Sequence, residues 1–203
     1  AYDMGVSDFI TRPFDMKVVY RRVVNTIQLY ANQRRLIDRL TRQMVEQEND
    51  SKVMTSILSH IVEFRNGESG RHVIMIRKLT ELLLKTLLLK TDEYNLTSQD
   101  VNHIINASAL HDIGKIAIDE KIINKPGKLT KEEFETMKAH TVIGSDIIRS
   151  LKAYSGEPLL KFADEICRYH HERWDGKGYP EGLKGNEIPI SAQIVSICDV
   201  YDA

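Results

Sequence analysis

The sequence has few cysteines, no long apolar segment and almost no net charge, and each absence excludes a class of protein. Its two cysteines, Cys167 and Cys198, lie far apart and do not form the disulfide framework of a secreted domain. The longest apolar stretch, around residues 82–89, is interrupted by Lys85 and is too short to cross a bilayer. A formal net charge of -1 gives no general attraction to nucleic acid or membrane. These absences predict a cytoplasmic protein with buried thiols.

Strand patterns are also scarce. The short apolar stretch in "SDFITRPF" predicts a final strand and a turn before Pro13, and Asp15 is a suitable N-cap for a long helix after it. Beyond residue 14 the apolar residues have helical spacing. We expect one helix through "TSQDVNHIINASALHDIGK" and others over roughly 131–152, where Thr130 begins a capping box, and 157–172. The main domain is therefore predicted to be all-α.

A long amphipathic pattern runs from about residue 16 to residue 63. Apolar residues recur in two rows with the spacing of a heptad repeat, Val23, Tyr30, Ile37, Met44 and Leu58 in one and Leu40, Met54 and Ile61 in the other. A single helix of this length is not stable alone, so it needs a partner. One interpretation is a parallel dimer that transmits a signal, and the other is a helix packed on its own domain. The charged and amide residues around the rows favour the dimer.

The polar residues most suited to chemistry are histidines and buried acids. The chain has seven histidines, and two of them, His170 and His171, are adjacent in "ICRYHHERWDGKGYPEGL", just before a loop rich in glycine. Asp112 and Asp199 lie in apolar segments, where an uncompensated charge costs several kcal/mol. A lone histidine in a helix is usually an ordinary core or surface residue. The neighbouring carboxylates make a ligand role the second interpretation of these histidines.

These residues predict a metal site. Imidazoles and carboxylates lie on at least five segments, namely Glu68 with His72, His111 with Asp112, His140, His170 with His171, and Asp199. Such ligands without thiolates suit Fe or Mn, with Zn as an alternative. A carboxylate that bridges two ions would allow them to activate water and stabilise a phosphodiester transition state. The alternative is that the acids pair with Lys115 or Arg77 and bind no metal. Spacing alone leaves both hypotheses open.

Three segments together resemble a known family. "HDIGK", "KPGKLTKEEFETMKAH" and "HHERWDGKGYPEGLKGNEIPISAQIVSICDVYDA" are similar to an HD-GYP domain, a branch of the HD metal-dependent phosphohydrolases. The HD pair is His111 and Asp112, and the GYP triplet is Gly178, Tyr179 and Pro180. HD-GYP proteins hydrolyse the bacterial second messenger cyclic di-GMP to pGpG and, in many members, to GMP. The resemblance implies an HD-type helical bundle with this activity over residues from about 56 to the end.

The resemblance also implies roles for individual residues. The implied metal ligands are Glu68, His72, His111, Asp112, His140, His170, His171 and Asp199. The family holds two or three divalent metal ions, commonly iron or manganese, and Glu68 stands in the place of the ligand associated with a third. Lys115 and Asp112 are the implied catalytic residues, with Lys115 as a donor to the scissile phosphate or, alternatively, as a plain salt-bridge partner.

The loop after the histidine pair is expected to form the entrance to the site. Together with Lys115, its residues Gly178, Tyr179 and Pro180 are the implied substrate contacts. Glycine there permits close approach of the backbone. Trp174 is interpreted either as a stacking partner for guanine or as a packing residue.

The amino-terminal residues carry a second resemblance. "AYDMGVSDFITRPF" and the helix after it look like the end of a response-regulator receiver domain, although Arg12 stands where a lysine is usual. We expect residues 1–30 to be a receiver remnant, 31–55 a coiled-coil linker and 56–203 an HD-GYP domain that lacks its C-terminal end. The chain is thus expected to be cut at both ends. A receiver implies a sensor kinase as partner, and diguanylate cyclase domains are further candidates.

Three rival hypotheses remain, the last of them a pure dimerisation protein, which the heptad rows explain but the buried acids do not. The first is an HD phosphohydrolase that acts on another nucleotide, against which the GYP motif argues. The second is a signalling module that binds cyclic di-GMP or a partner without turnover. The complete ligand set argues against this one, because a domain without catalysis need not keep eight such residues.

Overall fold

The computed structural model describes residues 13, 15–65, 71–154 and 156–202. Within these ranges the chain forms seven α-helices and no β-strand, apart from an isolated bridge between Asp175 and Lys184. The prediction of an all-α fold is confirmed. The strand predicted before Pro13 lies outside the described residues. None of the described helices combines the length and apolar character needed to cross a bilayer.

The helices are α1 (Met16–Arg65), α2 (Arg71–Leu88), α3 (Ser98–Ser108), α4 (Glu120–Ile123), α5 (Lys131–Ser150), α6 (Pro158–Tyr169) and α7 (Ile190–Asp202). Short 3-10 turns occupy Ile113–Ala117, Lys152–Tyr154 and Gly185–Glu187. The beginnings of α3 and α5 are fixed by reciprocal capping boxes. In the second of these, the Thr130 hydroxyl accepts from the Glu133 amide and the Glu133 carboxylate accepts from the Thr130 amide, as predicted.

The chain divides into two units, Ala1–Asp50 and Ser51–Ala203. In the first, α1 keeps the predicted helical course, and the apolar side chains of Val23, Tyr30, Ile37 and Met44 are all exposed. In the second, the end of α1 is part of the bundle, because Val62 is buried and the Ser59 hydroxyl donates to the Ala109 carbonyl.

The core of the second unit is formed by the apolar faces of α2, α3, α5, α6 and α7. Its most deeply buried side chains include Ile76, Leu84, Ile104, Ile166 and Val195. Burying one such side chain stabilises the fold by roughly 1.5–3 kcal/mol. Both cysteines are buried free thiols, as predicted. The helices that form this core, and the turn after α3, also position the histidines and acids at its edge.

The segment with the HD pair is not the continuous helix that we predicted. α3 ends at Ser108, and a turn leads to the 3-10 segment. Gly114 lies so close to α5 that an added Cβ would collide with the His140 carbonyl and stand 2.6 Å from the Gly144 nitrogen. This contact holds the turn against α5. It also allows His111 and Asp112 to face one cluster, whereas successive residues of an α-helix point about 100° apart.

Candidate metal centre

Side chains from five parts of the bundle converge at one end of the core. His72 comes from the first turn of α2, and His140 from the middle of α5. His111 and Asp112 come from the turn after α3, His170 and His171 from the end of α6, and Asp199 from α7. The structure thus brings together seven of the eight predicted ligands. Glu68 lies outside the described residues.

The seven side chains form two groups, each with ligand atoms within 4.8 Å of one another. The first contains Asp112, His140, His170 and His171, and the second contains His72, His111 and Asp199. We call them the first and the second ligand group. Besides the Asp112 carboxylate, the two groups supply six candidate ligand atoms, one from each of the other side chains. This number suits a site for more than one ion.

Asp112 lies between the two groups. Its Oδ1 atom is 3.4 Å from Nε2 of His140 and 3.9 Å from Nε2 of His170. Its Oδ2 atom is 3.2 Å from Nε2 of His111, which belongs to the second group. One oxygen therefore faces each group, which is the arrangement of a carboxylate that bridges two ions.

Asp199 gives the second group its own carboxylate. Its Oδ1 atom lies 3.4 Å from Nε2 of His72 and 3.7 Å from Nε2 of His111. Three ligand atoms from α2, the turn and α7 thus face a common point.

The imidazoles are oriented by hydrogen bonds from their other nitrogen. The Nδ1 atoms of His111, His140 and His170 lie 2.9, 2.7 and 2.9 Å from the carbonyl oxygens of Ser108, Met137 and Ile166. A carbonyl only accepts, so each Nδ1 carries the proton and donates. The Nε2 atom of each ring faces the cluster, and in the neutral form of the ring it carries the lone pair. This outer shell of acceptors fixes the tautomer that a metal ligand requires.

Asp202 provides the corresponding bond for His72. Its Oδ2 atom accepts from Nδ1 of His72 at 2.8 Å. Sequence reasoning missed this residue. Its spacing could have indicated the role, because Asp202 follows Asp199 by three residues and so lies on the same face of α7.

The donor set fits a divalent metal ion. Among the described residues, Nε2 of His111 and Oδ1 of Asp112 are buried polar atoms without a hydrogen-bond partner. An orphaned buried polar atom costs roughly 1–3 kcal/mol, which a bound ion would offset. Imidazole and carboxylate donors without thiolate favour ions such as Fe, Mn or Zn.

The electrostatics of the first group keep its imidazoles neutral. Burial and the neighbouring imidazoles hold the pKa of His170 well below its usual range, and burial with His140 lowers the pKa of His171 to about 4. The pKa of His140 is lowered by burial too. Neutral imidazole is the form that binds metal.

The carboxylates are held in their ionised form. Burial raises the pKa of Asp112, but His111 and Lys115 outweigh it, so this pKa lies well below the usual range. Burial likewise opposes ionisation of Asp199, yet the bond from His72 and the charge of His111 lower its pKa to about 2. His111 is the exception among the imidazoles, because Asp112 and Asp199 overcome the effect of burial and raise its pKa.

Lys115 lies at the edge of the cluster, and its Nζ atom is 2.8 Å from Oδ2 of Asp112. This is the salt bridge that the sequence left open as an alternative. Arg77 makes no corresponding bridge in the contacts described, since it donates to Ser56 Oγ and Asn106 Oδ1 at 2.9 and 3.0 Å. Of these two cations, Lys115 is thus the one in direct contact with the Asp112 carboxylate.

The GYP loop folds back against the histidine pair. An added Cβ on Gly178 would collide with the backbone of Glu172 and Arg173, so only glycine permits this approach. The next residue, Tyr179, has its ring centroid 4.8 Å from that of His171, with an interplanar angle of 31°. The Tyr179–Pro180 peptide is cis. The tyrosine therefore covers one side of the first ligand group.

Glu172 anchors this loop, and sequence reasoning missed it. Its buried Oε1 atom accepts from the amides of Glu181 and Gly182 at 2.7 and 3.0 Å. A carboxylate directly before a loop rich in glycine was the available signal, because backbone amides in a tight loop need acceptors.

Trp174 is 63% exposed and lines a neighbouring cavity with Gln193 and Ile197, not the one beside Tyr179.

A family of known proteins has the same pattern. The family model described as HD domain matches residues 52–203. The chain therefore belongs to the HD domain family, which confirms the predicted HD-type domain, and its GYP motif assigns it to the HD-GYP branch.

Curated relatives cover most or all of the chain. It is 33% identical to a probable cyclic di-GMP phosphodiesterase of Vibrio cholerae, over 100% of this chain and 48% of that protein. It is 34% identical to the cyclic di-GMP phosphodiesterase response regulator RpfG of Xanthomonas campestris, over 100% of this chain and 53% of that protein. Over 79% of this chain and 28% of the relative, it is 40% identical to a 3'3'-cGAMP-specific phosphodiesterase 2 of Vibrio cholerae. The chain spans about half the length of the first two.

Proposed function

We propose that this chain is the catalytic part of a metal-dependent phosphodiesterase that hydrolyses cyclic di-GMP to pGpG, GMP or both. The observation that carries the proposal is the position of Asp112, with one carboxylate oxygen toward each of two groups of ligands. Relatives named as cyclic di-GMP phosphodiesterases support the choice of substrate.

The proposed ions would supply Lewis acidity and lower the pKa of water, so no side-chain nucleophile is required. His140, His170, His171 and Asp112 would hold one ion, and His72, His111 and Asp199 the other. Lys115 would donate to an oxygen of the scissile phosphate as charge develops there. Gly178, Tyr179 and Pro180 would contact the substrate at the entrance beside His171.

Iron or manganese is the proposed metal, because the ligands are imidazoles and carboxylates alone. Two ions correspond to the two ligand groups. Glu68 is proposed as a ligand of a third. Colour and electron paramagnetic resonance of protein purified without oxygen would identify iron or manganese directly.

We further propose that the chain forms a parallel homodimer in a cytoplasmic response regulator. The exposed heptad rows on α1 support a second copy as partner, since a helix of 50 residues is not stable alone. The response-regulator relative supports a receiver remnant at residues 1–30, a linker at 31–55 and a catalytic domain at 56–203. A sensor kinase and diguanylate cyclase domains are the proposed partners, and buried free thiols agree with a reducing compartment.

The test is a hydrolysis assay on anaerobically purified protein with cyclic di-GMP, 3'3'-cGAMP and cyclic di-AMP. We expect turnover of cyclic di-GMP that Asp112→Ala abolishes and that a chelator removes reversibly. A preference for 3'3'-cGAMP would instead favour the second candidate function, which the 40% identical relative supports. Tight binding of cyclic di-GMP without turnover by metal-loaded protein would favour a binding module.

A further inference from the structure

A cavity of about 550 Å³ opens beside the histidine pair, on the side covered by the GYP loop. Its volume falls within the roughly 300–1,000 Å³ of small-molecule sites. Besides His170 and His171, it is lined by Phe134, Lys138, Arg173 and Tyr179 among others. Phe134 and Lys138 belong to this lining, and neither the motifs nor the ligand groups give them a role.

Phe134 and Lys138 lie one turn apart on α5 and face the GYP tyrosine. The rings of Phe134 and Tyr179 meet edge to face, with centroids 6.4 Å apart and planes at 80°. The Lys138 ammonium lies 5.2 Å from the Phe134 centroid and 5.6 Å from the Tyr179 centroid. Two aromatic rings and one cation therefore form a continuous surface, which we call the aromatic shelf.

The aromatic shelf is available to a ligand. Phe134 is 46% exposed and lines the cavity, so its ring is accessible to a ligand. Lys138 pairs with Glu135 at 2.7 Å, and such an exposed pair contributes little to stability. By contrast, the guanidinium of Arg173 is engaged by both carboxylate oxygens of Asp175. Lys177 also lines the cavity, but the Lys138 ammonium lies over both rings, so it is the cation beside a ligand on the shelf.

The shelf also lies at the right place for one part of the substrate. Tyr179 contacts both the His171 ring, which belongs to the first ligand group, and the Phe134 ring of the shelf. A phosphate held at the first ligand group would therefore have its attached nucleoside beside the shelf. Bases stack on aromatic side chains in single-stranded nucleic acid sites for the same reason, because every base has a π-face.

We propose that Phe134, Tyr179 and Lys138 form a subsite for one guanine base of the substrate. Phe134 and Tyr179 hold the base by stacking and edge contacts, and the Lys138 ammonium donates to O6 and N7 of guanine. Adenine presents an amino donor in place of O6, so Lys138 makes the subsite prefer guanine. This inference rests on the proposed function, and it adds the residues that select the base.

The test compares Phe134→Leu and Lys138→Met with the wild type, and Lys131→Ala serves as control because it removes an exposed lysine of the same helix. For each protein we would measure the metal content, kcat and KM for cyclic di-GMP and cyclic di-AMP, and the Kd of cyclic di-GMP by calorimetry. Phe134→Leu is expected to raise KM and Kd roughly tenfold with metal content unchanged. Lys138→Met is expected to lower the preference for cyclic di-GMP over cyclic di-AMP by about tenfold.

Other outcomes overturn the inference. If both variants keep KM and Kd within twofold of the wild type, the shelf does not bind a base. If Lys138→Met weakens both dinucleotides equally, Lys138 contacts phosphate and the guanine preference is wrong. A wild type that hydrolyses neither dinucleotide would contradict the proposed function alone, and the calorimetric Kd for cyclic di-GMP would still decide whether the shelf binds the base.

Discussion

The ammonium nitrogen of Lys115 lies 2.8 Å from Oδ2 of Asp112, so a cation contacts the carboxylate that lies between the two ligand groups. The salt bridge and the proposed role toward phosphate are compatible, because an ammonium has three donors. A bridge that only orients Asp112 would affect metal binding, whereas a donor to the transition state would affect turnover.

Replacing Lys115 by methionine separates these two roles. We expect Lys115→Met to lower kcat about 10²- to 10³-fold while the metal content stays near that of the wild type. Steady-state kinetics and elemental analysis on the same preparation would measure both. Lys115→Arg keeps the charge and should retain more activity. Loss of metal in the methionine variant would show that the lysine acts only through Asp112.

Asp202 should matter for metal affinity although it is not a predicted ligand. It accepts from Nδ1 of His72 at 2.8 Å and so fixes the ring whose other nitrogen faces Asp199. Loss of such an outer partner typically weakens metal binding 10- to 100-fold, and we expect about that for Asp202→Ala. Competition with a chelator of known affinity measures it. Asp146→Asn, an exposed acid on α5, is the control. Equal metal affinities in Asp202→Ala and the wild type would contradict this role of Asp202.

Glu172 should hold the GYP loop in place. Glu172→Ala removes the acceptor of two backbone amides, and we expect a loss of about 2 kcal/mol in the free energy of unfolding. Amide hydrogen exchange at Glu181 and Gly182 should become faster. Glu172→Gln keeps one oxygen acceptor and should have the smaller effect. Unchanged exchange at both amides in Glu172→Ala would contradict the role of Glu172 as an anchor of this loop.

The stability of the chelator-treated protein should fall between pH 6.5 and 4. Burial and His140 lower the pKa of His171 from 6.5 to about 4 in the folded state. In that interval the unfolded state binds a proton that the folded state does not, so acidification favours unfolding. The loss from this residue is up to about 3 kcal/mol. Urea unfolding at several pH values measures it. The free energy of unfolding should depend less steeply on pH in His171→Gln than in the wild type. Equal slopes for the two proteins would contradict the assignment of this pH dependence to His171.

Much of this fold is predictable because it depends on local patterns. The apolar spacing of α1 and the capping box at Thr130 specify helices from neighbouring residues alone, and both predictions are confirmed. The end of α3 is not local. It depends on contact between Gly114 and the backbone of α5, which lies about 30 residues further along the chain, so the turn at the HD pair was predicted as helix.

Predictions about the site can also be separated into those that follow from local patterns and those that depend on the folded chain. Buried histidines and acids are unusual enough in apolar segments to be selected from the sequence, and the structure brings together all those that lie in its described part. Asp202 and Glu172 were missed although their positions, three residues after Asp199 and just before a loop rich in glycine, indicate where they lie. Position does not identify the groups that donate to them, the His72 ring and the amides of Glu181 and Gly182, because these contacts depend on the folded backbone.

The central claim is that two ligand groups joined by Asp112 hold two metal ions. The most direct test is the number of ions per chain in anaerobically purified protein, measured for the wild type, for His171→Ala and for His72→Ala. The account predicts two or more Fe or Mn ions per wild-type chain and the loss of at least one ion in each variant. A wild type that binds no metal under any loading condition, or variants that keep the full number of ions, would contradict it.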